Sequence, residues 1–466
     1  MCNAIHKYAL DGDYFVIDPA SGAVHVADKY AYDLLDKVRP AYFERYEGLE
    51  GGCYKELRDL YKNGLLFSVD DCEPYAETHI DVPLKALCLH VSHNCNLRCV
   101  YCFAEDVIGD ACGKCTTMSP ETAVAAIDFL VANSGERVDL EADFFGGEPL
   151  MAWDTVKAAV DYARANEAKW GKSFRFTITT NGLLLDDDKI DYINANMSNC
   201  VLSLDGRKAV NDRHRPTPNG NGSFDLVIDK FRKLVAARDS NPPNLADWYV
   251  RGTFTAYNLD FAEDVIELVR LGFRNISLEP VTADTAVPHA IKHEHLSAIY
   301  EQYERLFRLM KSGELNVTER HVPCSAAEPP TPERLFTFFH FCVDLTGGPC
   351  VIRRLRGCGC GNEYLAVAPD GSAYPCHRFV GDDKWKMGNV SGASLDVNIK
   401  SYFAKTHIYS KPQCRTCWAR FYCSGGCNAS SYECYGDCRV TDQNSIECLM
   451  MKRRLECAIA LAALKI

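Results

Sequence analysis

His93-Asn94-Cys95-Asn96-Leu97-Arg98-Cys99-Val100-Tyr101-Cys102-Phe103 follows closely on the short run Leu87–Val91, and it decides how the rest of the chain reads. A strand that empties into a Cys-x3-Cys-x2-Cys loop puts three thiols at its C-terminal end, where α/β sheets hold their ligands. Three thiolates on one loop can ligate three irons of a cubane cluster and leave the fourth iron open. An open coordination position separates a catalytic metal site from a structural one. A zinc knuckle is the competing reading. It needs a fourth ligand close by, for which His93 or Cys112 is available.

Outward from this loop, residues 84–310 alternate strand and helix. Strands are expected at Leu87–Val91, Asp143–Phe145, Phe174–Thr179, Val201–Leu204, Tyr249–Phe254 and Ile276–Leu278. Between them, Ser119-Pro120-Glu121 offers an N-cap followed by Pro at the first helical position. Ser223-Phe224-Asp225 opens another helix, and Asn258 to Gly272 holds a third. Such alternation specifies a parallel sheet with helices outside it. Six units are too few for a closed eight-fold barrel, so the expected fold is α/β, a partial (β/α)6 barrel with its chemistry at the C-terminal strand ends. Candidate turns there are Phe145-Gly146-Gly147-Glu148-Pro149, Thr180-Asn181-Gly182 and Ser203-Leu204-Asp205-Gly206. Paired glycines let a backbone approach a ligand closely, and a carboxylate beside them can bind an ammonium.

Residues 1–80 form a separate zone. Tyr14–Ile17 and Ala23–Val26 flank the turn-forming Asp18-Pro19-Ala20-Ser21-Gly22 and read as a hairpin. Glu56–Lys62 is helical, and Asn63-Gly64 stops it. A linker is expected over 311–341. From 342 to 466 the pattern breaks into short turns rich in Cys and Gly before a final helix, roughly Ser445 to Leu464. A region with so many thiols and so little apolar periodicity needs metal to hold it together. Its frame is Cys414-x2-Cys417-x5-Cys423-x3-Cys427 with Cys448 downstream. Cys358, Cys360 and Gly371-x4-Cys376 lie ahead of it.

The 24 cysteines among 466 residues are well above ordinary usage. Met1 to Lys7 has no basic stretch leading into an apolar one, so no secretory signal is visible, and a cytoplasmic, metal-loaded protein is expected over a disulfide-stapled one. No apolar run approaches the roughly 20 residues that span a bilayer. A formal charge of -12 argues against a general nucleic-acid binder. Neither membrane nor nucleic acid is therefore expected as a partner.

The cysteine loop, with Tyr101 just before its last cysteine and Gly146-Gly147-Glu148 ending the next strand, resembles the radical S-adenosylmethionine (SAM) enzymes. The resemblance implies that Cys95, Cys99 and Cys102 hold a 4Fe-4S cluster whose free iron chelates the amino and carboxylate groups of SAM. One electron then yields methionine and a 5'-deoxyadenosyl radical. It places Tyr101 and Leu278 near the adenine, and carries SAM contacts over to Gly146, Gly147, Glu148, Asn181, Ser203, Asp205 and Arg215.

The C-terminal frame resembles the SPASM domain of radical SAM enzymes that act on peptides and proteins. That implies two auxiliary 4Fe-4S clusters, three clusters in all. Auxiliary II would take Cys414, Cys417, Cys423 and Cys448; auxiliary I would take Cys358, Cys376 and Cys427, with Cys376 counted among the catalytic residues. Cys360 and Cys350 are both available as a fourth ligand of auxiliary I. The family pattern fits best with Cys358 alone, which would leave an open iron for a substrate thiolate. Cys434, Cys438 and Cys457 lie outside the pattern. A zinc ribbon is the alternative for the four central cysteines.

The whole layout resembles the maturases of SCIFF peptides. The carrying stretches are His6-Lys7-Tyr8, Ser21-Gly22-Ala23-Val24-His25, and Tyr364-Leu365-Ala366-Val367 running into Tyr374-Pro375-Cys376-His377. The implied organisation is a winged-helix-like peptide-recognition domain at 1–80, the barrel at 84–310 and the SPASM domain at 342–466. The implied substrate is a ribosomal precursor peptide with a leader and a Cys-rich core, in which Cys sulfur is joined to a carbon, often of Thr, as a thioether. A flavodoxin or ferredoxin would donate electrons. Sulfatase maturases carry an Asp where this chain has His377, which counts against formylglycine formation. Epimerisation and C–C cross-linking share the cysteine frame, whereas a non-catalytic electron carrier would give Gly146-Gly147-Glu148 no role.

Overall fold

The structure, a computed structural model, describes residues 5–45, 52–78, 82–102, 117–240, 247–313, 336–345, 354–392 and 394–465. Strands β1 (His6–Leu10), β2 (Asp13–Ile17) and β3 (Val24–Ala27) form an antiparallel sheet in chain order. The expected hairpin is its β2–β3 pair, and β1 adds a strand that was not expected. Both faces of β2 are covered. Val16 packs with Leu35, Val38, Phe43 and Leu57 of the following helical segment, while Phe15 and Ile17 join the main core.

Strands β4 (Ala86–Ser92), β5 (Asp139–Gly146), β6 (Ser173–Thr180), β7 (Asn199–Ser203), β8 (Asp247–Phe254) and β9 (Asn275–Pro280) pair side by side in chain order, all parallel. β4 is buried at every residue, as a strand covered on both faces must be. Helices between the strands start and stop where local chemistry directs. Ser119 accepts a hydrogen bond from the Thr122 amide ahead of Pro120, and Gly171 ends the Trp153–Trp170 helix at φ +64. The Phe224–Asp239 helix turns Val227, Ile228, Phe231, Leu234 and Val235 inward at helical spacing.

The parallel run is longer than the six strands expected. β10 (Thr337–Phe338) extends it beyond β9, and β11 (Tyr364–Val367) pairs parallel with β4 at the opposite edge. Antiparallel β12 (Ser372–Tyr374) and β13 (Gly388–Asn389) follow, giving the order β10-β9-β8-β7-β6-β5-β4-β11-β12-β13. β10 falls within the expected linker and is too short for alternation to register. Much of the remaining linker lies outside the described residues, as do Cys112 and Cys350. The final helix, Ile446–Ala463, packs its apolar face into the main core. It also receives the N-terminal sheet: the Tyr8 hydroxyl donates to the Glu456 carbonyl and His6 Nε2 lies beside the Glu456 carboxylate, both at 2.9 Å.

Phe176 is fully buried and stacks between Phe144 and Phe174 at 5.8 and 5.6 Å. Its replacement by Ala should cost about 3–5 kcal/mol through lost burial and a residual cavity. Denaturant unfolding should show a lowered midpoint; an unchanged one would mean that this aromatic stack does not hold the barrel.

Candidate active site

Every candidate turn lies at the C-terminal end of a parallel strand. The cysteine loop leaves β4 and is pinned from two sides. The Arg98 and Val100 amides donate to the Pro216 and His214 carbonyls at 2.8 and 2.9 Å, while the Gly147 and Glu148 amides donate to the Ser92 and Asn94 carbonyls at 2.6 and 2.9 Å. A Cβ on Gly147 would stand 2.3 Å from the Asn94 carbonyl oxygen and 3.2 Å from Cys95 Cβ. Only glycine lets the β5 turn close on the loop. Asn181, at the end of β6, donates to Asn96 Oδ1 at 2.8 Å and lies 3.8 Å from Cys95 Sγ.

Burial pushes the Cys95 thiol up to about 11 and Cys99 up to about 12, with neighbouring thiols adding to the effect. Such thiols are poor free nucleophiles and become thiolates when metal displaces their protons. Among the described residues, no three Cys, His, Asp or Glu side chains converge as ligands of a single ion would. The three thiols are neighbours on one loop, and in a cubane cluster each iron would take its own thiolate.

Glu148 turns into the protein. Its carboxylate accepts from the Thr180 hydroxyl and the Asn181 amide, both at 2.8 Å, and from the Leu150 amide at 3.1 Å. Burial pushes it up to about 7 against those hydrogen bonds. It ties the β5 and β6 ends together.

Asp205 is the hub of the other expected contacts. Tyr101 donates to both of its oxygens at 2.9 and 2.8 Å, Arg215 Nη2 at 3.0 Å and the Thr253 amide at 2.9 Å. His214 Nδ1 lies 3.4 Å away. Burial works to raise the Asp205 carboxyl, but Arg215 and His214 hold it below the usual carboxylate range. Arg215 Nε is buried without an acceptor among the described residues, which suits it to a ligand carboxylate. Ser203 ends β7 opposite Arg251 of β8. Leu278 is fully buried, close to the space that a Cβ on Gly252 would fill.

In the C-terminal zone the thiols gather into two sets. Cys423 has the thiols of Cys448, Cys414 and Cys417 as neighbours, the four expected together. Cys360 hydrogen-bonds to Cys376 and lies near Cys358 and Cys427, so the second set has four members. Residues Gly359 and Gly361, at φ +74 and +71, turn Cys360 inward, and that flanking pair was the available signal for its placement. Cys434 is exposed, whereas Cys438 and Cys457 are buried.

Residues 89–242 match the Radical SAM superfamily, and residues 358–418 match SPASM, an iron–sulfur cluster-binding domain. The chain carries a radical SAM domain and a SPASM domain. It is an enzyme that uses SAM. It is similar to the radical SAM cyclopropyl synthase of Paramaledivibacter caminithermalis, at 23% identity over 80% of this chain and 74% of that one. It is also similar to the cysteine-type anaerobic sulfatase-maturating enzyme of Clostridium perfringens, at 24% identity over 74% and 89% of the two chains. Among solved structures, native anSMEcpe with bound AdoMet and Cp18Cys peptide superimposes with TM-score 0.59 at 19% identity, covering 82% of this chain and 97% of that one. Streptococcus suis SuiB bound to precursor peptide SuiA gives 0.53 at 16% identity, covering 96% and 98%. These structural likenesses carry the fold.

The SPASM domain borders the inner face of the parallel sheet, with Cys376 beside Cys88 of β4. Because β12 runs back along β11, Cys376 lies towards the N-terminal end of β4, opposite the end that bears the Cys95 loop. His377 packs against Phe145 at 5.4 Å, Phe145 against His90 at 5.7 Å, and His90 against His93 at 5.5 Å. A chain of rings thus joins the two thiol sites. Arg251, exposed on a central strand, lies beside Glu279 and His340, and Arg454 of the final helix pairs with Glu279 at 3.5 Å. None of these was singled out in the sequence, because an isolated charged side chain ordinarily reads as solvent-facing.

Asp143 of β5 sits on this inner face, where burial pushes its carboxyl from 3.8 up to about 6 against a hydrogen bond from Thr177. A raised carboxyl binds its proton more tightly in the folded state, so its contribution is full below about 4 and is lost as pH rises through about 6. The thermal midpoint of the wild type relative to Asp143→Asn should fall across that window. A difference that stays flat with pH would refute the assignment.

Proposed function

We propose that the protein installs a thioether in a ribosomally made, Cys-rich precursor peptide, joining a Cys sulfur to a carbon of another residue, often Thr. The supporting observation is that the two thiol sites occupy opposite ends of one barrel interior, bridged by His90, Phe145 and His377. A peptide lying there is within reach of both. The clusters supply the redox chemistry when bound: hydrogen abstraction from the peptide through SAM at Cys95, Cys99 and Cys102, and removal of the surplus electron at Cys358, Cys376, Cys427 and at Cys414, Cys417, Cys423, Cys448. Cys360 gives auxiliary I a fourth thiol, so the substrate thiol closes on the carbon without an iron of its own. A flavodoxin or ferredoxin serves as electron donor, in the reducing setting of a cytoplasm.

Residues 1–80 act as the winged-helix-like leader-binding domain. β3 has one edge unpaired among the described residues, and Val26, Tyr30, Leu65 and Val69 are exposed in this module. An extended leader can add to such an edge. SuiB bound to precursor peptide SuiA covers 96% of this chain against 82% for anSMEcpe; the difference is comparable with this module. Among the described residues, no helix is long and apolar enough to cross a membrane. Formylglycine-type oxidation, the activity class of the maturase relatives, is disfavoured by His377 in place of Asp.

The test is mass spectrometry of reduced, anaerobic enzyme with SAM and a Cys-rich precursor peptide. The expected product has lost two hydrogens, and one Cys no longer reacts with an alkylating agent. SAM cleavage without a mass change would replace cross-linking by epimerisation. Cys376→Ala should lose most of the product, and full cross-linking by that variant would remove Cys376 from electron acceptance.

A further inference from the structure

Lys411 is 2% exposed, a place where an ammonium is seldom found unless paired. Its Nζ donates to the Gly425 carbonyl at 2.7 Å and to Asn428 Oδ1 at 3.0 Å. Both acceptors are neutral. Its stem crosses Gly425, where a Cβ would stand 3.5 Å from Lys411 Cδ. Gly425 lies between Cys423 and Cys427, and Asn428 directly follows Cys427, so the ammonium is held at the seam between the two auxiliary sets. Burial pulls Lys411 below the usual lysine range, and the thiols of Cys414, Cys438, Cys423 and Cys427 act in the opposite direction. The nearby Arg378 differs. It lies 3.5 Å from Cys427 Sγ and 2.8 Å from Ser430 Oγ, but its guanidinium also pairs with Glu433 and is balanced there. Among the described residues, no carboxylate ion-pairs with Lys411. Burying an ammonium among neutral partners is strongly unfavourable, whereas a negatively charged cluster on either side offsets the cost.

We propose that Lys411 is a shared counter-charge of the two auxiliary clusters, raising the reduction potentials of the Cys414/Cys423 and Cys427 sites above what thiolate ligation alone sets. This rests on the auxiliary-cluster reading above. Each added electron makes a thiolate-ligated cluster more negative, and a fixed cation nearby favours the reduced state. Lys411 is held by Gly425 and Asn428; it is a positioning residue that acts through the clusters.

The experiment uses full-length protein reconstituted anaerobically with iron and sulfide, as wild type, Lys411→Met and Lys411→Arg. Iron content is measured first, then EPR-monitored redox titration with dithionite. Lys411→Met should retain auxiliary iron and show its auxiliary signals at a more negative potential, with the signal of the Cys95 site unmoved. Lys411→Arg should return most of the shift. Auxiliary iron lost from Lys411→Met but kept in Lys411→Arg also supports the counter-charge, because both variants change shape and only one changes charge. Unmoved auxiliary potentials in Lys411→Met at full iron content, or iron loss from both variants, overturns it. Wild-type protein that takes up iron for the Cys95 site alone would sink the auxiliary-cluster reading itself, a result visible before any variant is compared.

Discussion

The Gly147 backbone lies so close to the Asn94 carbonyl that no other residue fits there, and the rest of the site depends on this contact. A three-cysteine loop has no periodic structure of its own and would otherwise be free to collapse or oxidise. The β5 turn clamps it from one side through two amide hydrogen bonds, and the 214–216 segment clamps it from the other. Glu148 extends the clamp to β6 by accepting three hydrogen bonds from that strand end and its own turn. This carboxylate thus fixes the frame of the two strand ends. Buried hydrogen-bonded charge of this kind is strongly geometric, because breaking one bond leaves a desolvated partner behind.

The same logic governs Asp205. A fully buried carboxylate is tolerable only when its lone pairs are filled, and Tyr101, Arg215, His214 and the Thr253 amide fill them. Tyr101 comes from the cysteine loop, Arg215 and His214 from the segment after β7, and Thr253 from β8. One acid therefore joins three strand ends, and the aromatic residue beside the last cysteine is positioned by a group more than a hundred positions away.

The parallel strands and the gathering of Cys414, Cys417 and Cys423 were legible in the sequence because each announces itself locally. Six apolar runs alternating with helical stretches specify parallel strands, and Cys414-x2-Cys417-x5-Cys423 brings thiols together within a few turns. What was not legible depends on contacts that leave no periodic trace. β11 is four residues inside a Gly- and Cys-rich stretch, and its pairing with β4 joins residues far apart in the chain. Cys360 meets Cys376 because two left-handed glycines turn it inward, whereas Cys350, its rival, lies outside the described residues. Lys411 reads as a surface lysine until the fold buries it. Tertiary context decides such positions, and propensity does not report it.

The parallel β11–β4 pairing also changes what the C-terminal domain is. Had the SPASM thiols hung from the barrel on loops, their distance from the first cysteine site would vary with every loop motion. Instead the sheet continues through β11 and β12 into Cys376, and His377 packs on Phe145 from the neighbouring barrel strand. Strand pairing fixes spacing to a fraction of the distance between neighbouring strands, and a site built on strands is held more closely than one built on loops. Chemistry that needs a substrate carbon near one thiol site and an electron sink near another requires that fixed spacing. A single sheet running through both domains provides it, without either site having to move.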